Sequence, residues 1–133
     1  MRIGFTGARD GMTLAQRAAL VELLRSLEPS SFAHGDCVGA DAQSHDIVLA
    51  ELPLCHIHIY PPDKDEARAF KGLAGGALIR EYPPAPYLKR NHAIVDSCDL
   101  LIAAPRTAAE QLRSGTWATI RYARKRGTKV SII

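Results

Sequence analysis

Aromatic residues are scarce in this 133-residue chain: one Trp, four Tyr and three Phe, 6% in all. Proteins that hold single-stranded nucleic acid generally stack its bases on exposed rings, so the scarcity moves such a role down to second place. Cysteine is sparse too. Cys37, Cys55 and Cys98 are odd in number and show no CxxC spacing, which argues against a disulfide framework and a zinc ribbon and leaves reduced thiols as the expectation. No apolar run approaches the roughly 18–20 residues of a membrane span. The opening MRIGFTG has no apolar stretch of signal-peptide length. A cytoplasmic protein without a membrane partner is expected.

What is present fits one globular domain over 1–133. Hydrophobic residues make up 47% and charged residues 23%, ordinary values for a folded soluble domain. The net charge of +3 is too mild to imply nucleic acid by itself. It is unevenly placed, however. From Arg106 to Ile133 there are seven basic residues and one acid, Glu110. Arg124 to Lys129 read as cations gathered at a helix C-terminus, where the dipole favours them. Only cations near Gly115 read as candidates for an anionic ligand.

Short apolar runs alternate with helix-period segments. Residues 2–6 read as a buried strand. Thr13 to Gln16 form a capping box, and Leu14, Val21, Leu24 and Leu27 follow at near-helical spacing until Pro29. Residues 31–34 read as a second strand and residues 40–52 as a second helix. In 54–60, His56, His58 and Tyr60 alternate with Cys55, Ile57 and Ile59, a half-polar pattern that suits an edge strand. Residues 61–86 carry Pro61-Pro62, Gly72, Gly75-Gly76 and Pro83-Pro84 and read as a long irregular loop, a length usually associated with function. A helical stripe through Tyr87, Asn91, Ile94, Val95 and Cys98, a strand over 99–104, a helix over 114–126 stopped by Gly127 and a last strand over 128–133 complete the chain. Strands alternating with helices predict an α/β fold: a Rossmann-like, doubly wound sheet of about five mainly parallel strands, order 3-2-1-4-5, with helices on both faces.

That order brings three glycine-bearing loops to one sheet edge. Gly7-Ala8-Arg9 follows strand 1. Gly35-Asp36-Cys37-Val38-Gly39-Ala40-Asp41 follows strand 2. Ser114-Gly115-Thr116 opens the helix after strand 4. Such an edge is the topological switch point where open α/β sheets bind ligands. Free N–H groups of the helices that follow the loops are expected to receive an anion.

Arg9, Arg90 and Arg113 are candidates for phosphate, which a guanidinium grips bidentately. Asp36 and Asp41 either accept from ribose hydroxyls or cap the second helix. Asn91 either meets the ligand or caps a turn. His34, beside the second loop, is placed within reach of a ligand, and His45 lies four residues after Asp41 on the same helix face. His56 and His58 on one strand face do not form a closed metal shell, so no metal is expected. Trp117 reads as core.

The segments GFTGARD (4–10), HGDCVGADAQSHD (34–46), YLKRNHAIVDSCDLLIAAP (87–105) and RSGTWATIRYARKRGTKV (113–130) together resemble the SLOG superfamily, named for the Smf/DprA and LOG proteins. The likeness extends over nearly the whole chain and is greatest to the small YspA/YpsA-related branch. It implies a Rossmann-like domain that binds a nucleotide or a nucleotide-derived ligand of the NAD or ADP-ribose kind. It also implies a homodimer. LOG enzymes hydrolyse the N-glycosidic bond of nucleoside monophosphates and carry PGGxGTxxE. Here RSGTWAT puts Thr119 in the place of the glutamate, and a threonine cannot act as a carboxylate acid or base. Hydrolysis would need Asp36 or Asp41. The DprA-like alternative is a single-stranded DNA-binding module on the same edge.

Overall fold

The computed structural model describes residues 1–76 and 78–133. Six parallel strands form one sheet: β1 (Arg2–Gly7), β2 (Ser31–His34), β3 (His56–Ile59), β4 (Ile79–Glu81), β5 (Leu100–Ala104) and β6 (Lys129–Ile132). Their spatial order is β4-β3-β2-β1-β5-β6. Four helices connect them: α1 (Leu14–Leu27), α2 (Ala40–Glu51), α3 (Tyr87–Asp96) and α4 (Gly115–Arg126).

The alternation of side chains along each strand decides which face each helix covers. Ile3, Phe5, Phe32, Ile57 and Ile59 project to one side, where Leu20 and Leu24 of α1 and Val48 of α2 bury them. Ala33 and Leu101 project to the other side, against Ile94 and Val95 of α3 and Ala123 of α4. Ala103 meets Trp117 and Ile120 there, so Trp117 is a core residue. This is the Rossmann-like, doubly wound α/β arrangement read from the sequence.

Three expectations need correction. The five strands stand in the expected order, but a sixth extends the sheet. It lies within 61–86, which also contains short 3-10 turns at Asp65–Ala67 and Lys71–Ala74. Three residues are too short for periodicity to reveal. The expectation of an irregular loop also covers Ala77, which lies outside the described residues. Second, β3 is therefore not an edge strand, since β4 pairs with it from Ile57↔Ile79 to Ile59↔Glu81. Its polar face is taken up by specific partners: His58 bonds the Tyr82 hydroxyl (2.8 Å), and Tyr60, next along that face, packs against the cluster that includes Ile94 and Val95 of α3. Third, Leu14 does not join the apolar stripe of α1. It is exposed, and Leu20 and Leu24 carry the burial. Leu14 is the first residue of the helix, at a turn that projects beyond the core.

Helix ends follow the local chemistry. Thr13 accepts from the Gln16 N–H (3.0 Å) while Gln16 Oε1 accepts from the Thr13 N–H (3.0 Å), the reciprocal capping box. Gly127 ends α4 in the left-handed conformation (φ 77°), and the exposed Arg124, Lys125 and Arg126 sit against the negative end of its dipole. No helix is long and apolar enough to cross a membrane among the described residues.

Candidate ligand site

A cavity of about 800 Å³ opens at the C-terminal edge of β1, β2 and β5. Its wall includes Gly7, Ala8 and Arg9 from the first loop and Gly35, Cys37 and Asp41 from the second. Arg90 and Asn91 of α3 and Ser114, Gly115 and Thr116 at the start of α4 complete it. The three loops converge because their strands are neighbours in the sheet. Direct bonds then lock them together. The Ala8 N–H donates to the Ala104 carbonyl (3.2 Å), and the Ala8 carbonyl accepts from the Ala40 N–H (3.0 Å).

Those bonds show which helix can receive an anion. The first N–H of α2 is occupied by Ala8. The first turn of α1 begins five residues beyond Arg9, and neither Leu14 nor Ala15 lines the cavity. In α4, Ser114 Oγ accepts from the Trp117 N–H (3.2 Å), and among the described residues no protein acceptor bonds the N–H groups of Gly115 and Thr116. The first turn of α4 thus brings two open N–H groups, those of Gly115 and Thr116, to the cavity wall.

Two residues of the sequence-derived set are not on the cavity wall. Asp36 is fully buried and faces away. Its carboxylate accepts from Arg68 Nε (3.1 Å) and from the Lys71 N–H (2.9 Å), which straps the 61–86 segment onto the second loop. Gly39 is the N-cap of α2 (φ 90°), and a Cβ there would run into the Arg9 carbonyl and come within 2.9 Å of the Ala8 carbonyl oxygen. Its contribution is the close approach of the first two loops. Neither Asp36 nor Asp41 caps α2 with its side chain.

His34 does not reach the ligand space either. Its Nδ1 accepts from the Asp36 N–H (3.0 Å), so its proton resides on Nε2, which faces His45 Nδ1 at 2.9 Å. The chain of bonds fixes both rings as neutral tautomers. Burial, with the neighbouring His45 and Arg90, holds the His34 basicity well below the ordinary histidine value, and burial also lowers that of His45.

Arg90 is a buried organiser. Nη1 donates to the Gly35 carbonyl and to the Tyr60 carbonyl (3.3 Å), and Nη2 donates to Cys37 Sγ (3.5 Å). Among the described residues its buried Nε has no hydrogen-bond partner. Residue 35 must be glycine here, because a Cβ would meet the Arg90 guanidinium carbon at 2.7 Å and Asp41 Oδ2 at 3.0 Å. Arg9 is exposed and places its guanidinium over the Tyr87 ring, 4.7 Å from the centroid. Burial pushes the Asp41 carboxyl up to about 6, against the opposing pull of Arg90 and the Cys37 N–H. Burial likewise raises the Cys37 thiol, with Asp41 adding to the effect. Among the described residues no three His, Cys, Asp or Glu side chains gather as a metal site.

The wall also contains residues that sequence reasoning did not single out for it: Thr6, Asp10, Tyr87, Arg106 and Gln111. Asp10 and Arg106 form an ion pair (2.7 Å) between the loops after β1 and β5. No local pattern marks two residues 96 positions apart. Tyr87, by contrast, lies one helical turn before Arg90 and could have been found from the stripe that includes Asn91.

The Asp41 environment predicts a pH dependence. Its folded carboxyl titrates near 6 against an ordinary value of 3.8. The resulting stabilisation is complete below about 4 and is lost as pH rises through 6. His34 and His45, with depressed basicity, act oppositely: their contribution is present above 6.5 and is lost as pH falls. Asp41→Asn removes only the first effect. Urea unfolding from pH 4 to 8 should therefore show the variant losing stability on acidification more steeply than the wild type. Parallel curves would refute the placement of this charge.

The fold and site define a Rossmann-like α/β chain with a cationic cavity at the switch point of its sheet. The sequence matches no protein-family model and no curated protein. Solved structures share the fold, among them the following two. DNA processing protein A (DprA) from Streptococcus pneumoniae superposes with a TM-score of 0.69 at 18% identity, over 98% of this chain and 49% of that one. TM1055, a structural genomics target, superposes with a TM-score of 0.67 at 15% identity, over 97% of this chain and 71% of that one. This chain thus spans about half the length of DprA. At these identities the shared property is the fold.

Proposed function

We propose that the chain binds a phosphate-bearing nucleotide or nucleotide-derived ligand in the cavity at the C-terminal edge of its sheet, as a cytoplasmic sensor or processing domain of the SLOG kind. The observation that carries this reading is the open first turn of α4. The Gly115 and Thr116 N–H groups border the same cavity as Arg9, Arg90 and Arg113. Free N–H groups at a helix start and guanidinium groups are the two protein devices that hold phosphate best. The cavity is large enough for a nucleotide, whose sites run from roughly 300 to 1,000 Å³. The sequence resemblance to the SLOG superfamily supports the reading, and with it the YspA/YpsA-related branch and a homodimer.

Binding fits better than LOG-type hydrolysis. Thr119 is buried, and its hydroxyl donates to the Gly115 carbonyl (2.9 Å), inside the helix and off the cavity wall. Processing would fall to Asp41, the buried carboxyl on the wall, whose titration near 6 suits an acid or base at neutral pH. Single-stranded DNA is the second reading, favoured by the fold shared with DNA processing protein A.

Thermal unfolding with AMP, ADP-ribose and NAD tests the proposal. Saturable stabilisation is expected, about 2.7 kcal/mol at a hundredfold excess over Kd. Affinity that instead grows with oligonucleotide length and falls by several log units with salt would transfer the site to DNA. Release of free base from nucleoside monophosphates, lost in Asp41→Asn, would make the protein a hydrolase.

A further inference from the structure

The wall of the main cavity holds two carboxylates, Asp10 and Asp41. Asp41 is buried. Asp10 stands at the rim with 54% of its side chain exposed, and its ionic partner among the described residues is Arg106 (2.7 Å). A carboxylate that shapes a loop accepts backbone N–H groups, as Asp36 does from Lys71 (2.9 Å). Among the described residues no backbone N–H donates to the Asp10 carboxylate, and its turn closes without it. The Gly11 N–H donates to the Ala8 carbonyl (3.1 Å), and the Met12 N–H donates to Gln43 Oε1 (2.7 Å).

Arg106 is anchored just as independently of the pair. The carbonyl of Thr107, its neighbour in the chain, accepts from Nε1 of the buried Trp117 (3.3 Å). Further along the same loop, the Arg121 guanidinium donates to the Gln111 and Leu112 carbonyls (3.4 and 3.2 Å). The loop that leads into α4 is therefore fixed by α4 itself. Both backbones keep their places when the pair opens, and an exposed pair of this kind adds little to stability. The guanidinium that opening releases lies on the wall that also bears the open Gly115 and Thr116 N–H groups. Its planar fork suits phosphate as well as carboxylate.

We infer that Asp10 is an internal competitor at the cavity: its carboxylate occupies the place on Arg106 that an anionic group of the ligand takes when it binds. The chemistry of that group, a phosphate, rests on the nucleotide reading of the main cavity. Binding exchanges one ion pair for another and unlatches the first loop from the loop after β5. The pair thus holds affinity below what the cations of the wall allow.

Titration calorimetry of the full chain with AMP and ADP-ribose tests the exchange, at low salt, where exposed charges are least screened. Asp10→Asn should bind these nucleotides about fivefold more tightly than the wild type does. Its urea midpoint should stay close to the wild-type value, since the carboxylate makes none of the bonds of its turn. In an Arg106→Gln background the same substitution should change affinity by less than about twofold, because no guanidinium remains to be released. Wild-type affinity in Asp10→Asn, or a fivefold gain that persists without Arg106, would overturn the inference and leave the main site standing. Binding of neither nucleotide by any of these proteins would instead remove the main-site reading, and the competition with it.

Discussion

A Gly115→Asp chain should fold as the wild type does and lose its phosphate ligand. A Cβ at residue 115 meets nothing within 4 Å, and a carboxylate in the first turn of α4 suits the dipole of that helix. Unfolding in urea should therefore be unchanged or slightly later. The ligand meets the opposite situation. A carboxylate about 4 Å from a phosphate charge, at an effective dielectric constant of about 20, opposes it by about 4 kcal/mol, close to a thousandfold in Kd. Gly115→Ala is the control, since it keeps the N–H groups and adds no charge, and should retain affinity within a few fold. AMP or ADP-ribose binding Gly115→Asp with wild-type affinity would remove α4 from the site.

Much of this architecture could be read from the chain because the signals are local. The capping box at Thr13 and Gln16, the stop at Gly127 and the alternation of Ile57 and Ile59 with the two histidines each report within a few residues. Right-handed crossovers then limit how successive strands can be arranged, which is why the order around β1 followed from the element list. The sixth strand escaped because Ile79–Glu81 has no hydrophobic period and owes its extended form to pairing with β3. Its presence reverses the meaning of the polar face of β3: His58 and Tyr60 are half-buried among aromatic partners, not residues of an outer strand.

The site was legible to the level of loops and less so to the level of side chains. Glycine spacing located the Gly7, Gly35 and Gly115 turns, since close backbone approach restricts residue type. Whether a polar residue within such a turn faces the cavity depends on long-range partners. Asp36 and Asp41 are five positions apart, the first in the loop and the second in the first turn of α2, yet Asp36 is drawn away by Arg68 and Lys71, 32 and 35 residues later, while Asp41 stays on the wall. Arg90 presents the same lesson. Sequence reasoning placed it against phosphate, whereas most of its donors are engaged by the Gly35 and Tyr60 carbonyls and Cys37. Its main physical effect is to fix the turn that Gly35 makes possible.

The strap makes Asp36→Ala the most disruptive single change expected for stability. Asp36 is completely buried, Arg68 is nearly so at 8% side-chain exposure, and Glu81 is the other carboxylate paired with that guanidinium. Removing one member of a buried ion pair costs about 3–5 kcal/mol when the other charge is left uncompensated; Arg68 keeps the partly exposed Glu81 (2.9 Å), so a loss of about 3 kcal/mol is expected. The Lys71 N–H loses its acceptor as well. The damage should concentrate where the strap meets the second loop, at the Val38 N–H bonded to the Ala67 carbonyl and the Ala69 N–H bonded to the Asp36 carbonyl. Hydrogen exchange should accelerate at Val38, Ala69 and Lys71 well before it does at Ile3 or Phe5 in the sheet. Asp36→Asn, which keeps an acceptor for Lys71 but no charge for Arg68, should fall between the two. An Asp36→Ala protein within 1 kcal/mol of wild type, with those three amides still protected, would mean that the strap is held by its backbone bonds alone and that the buried carboxylate has no part in shaping the cavity wall.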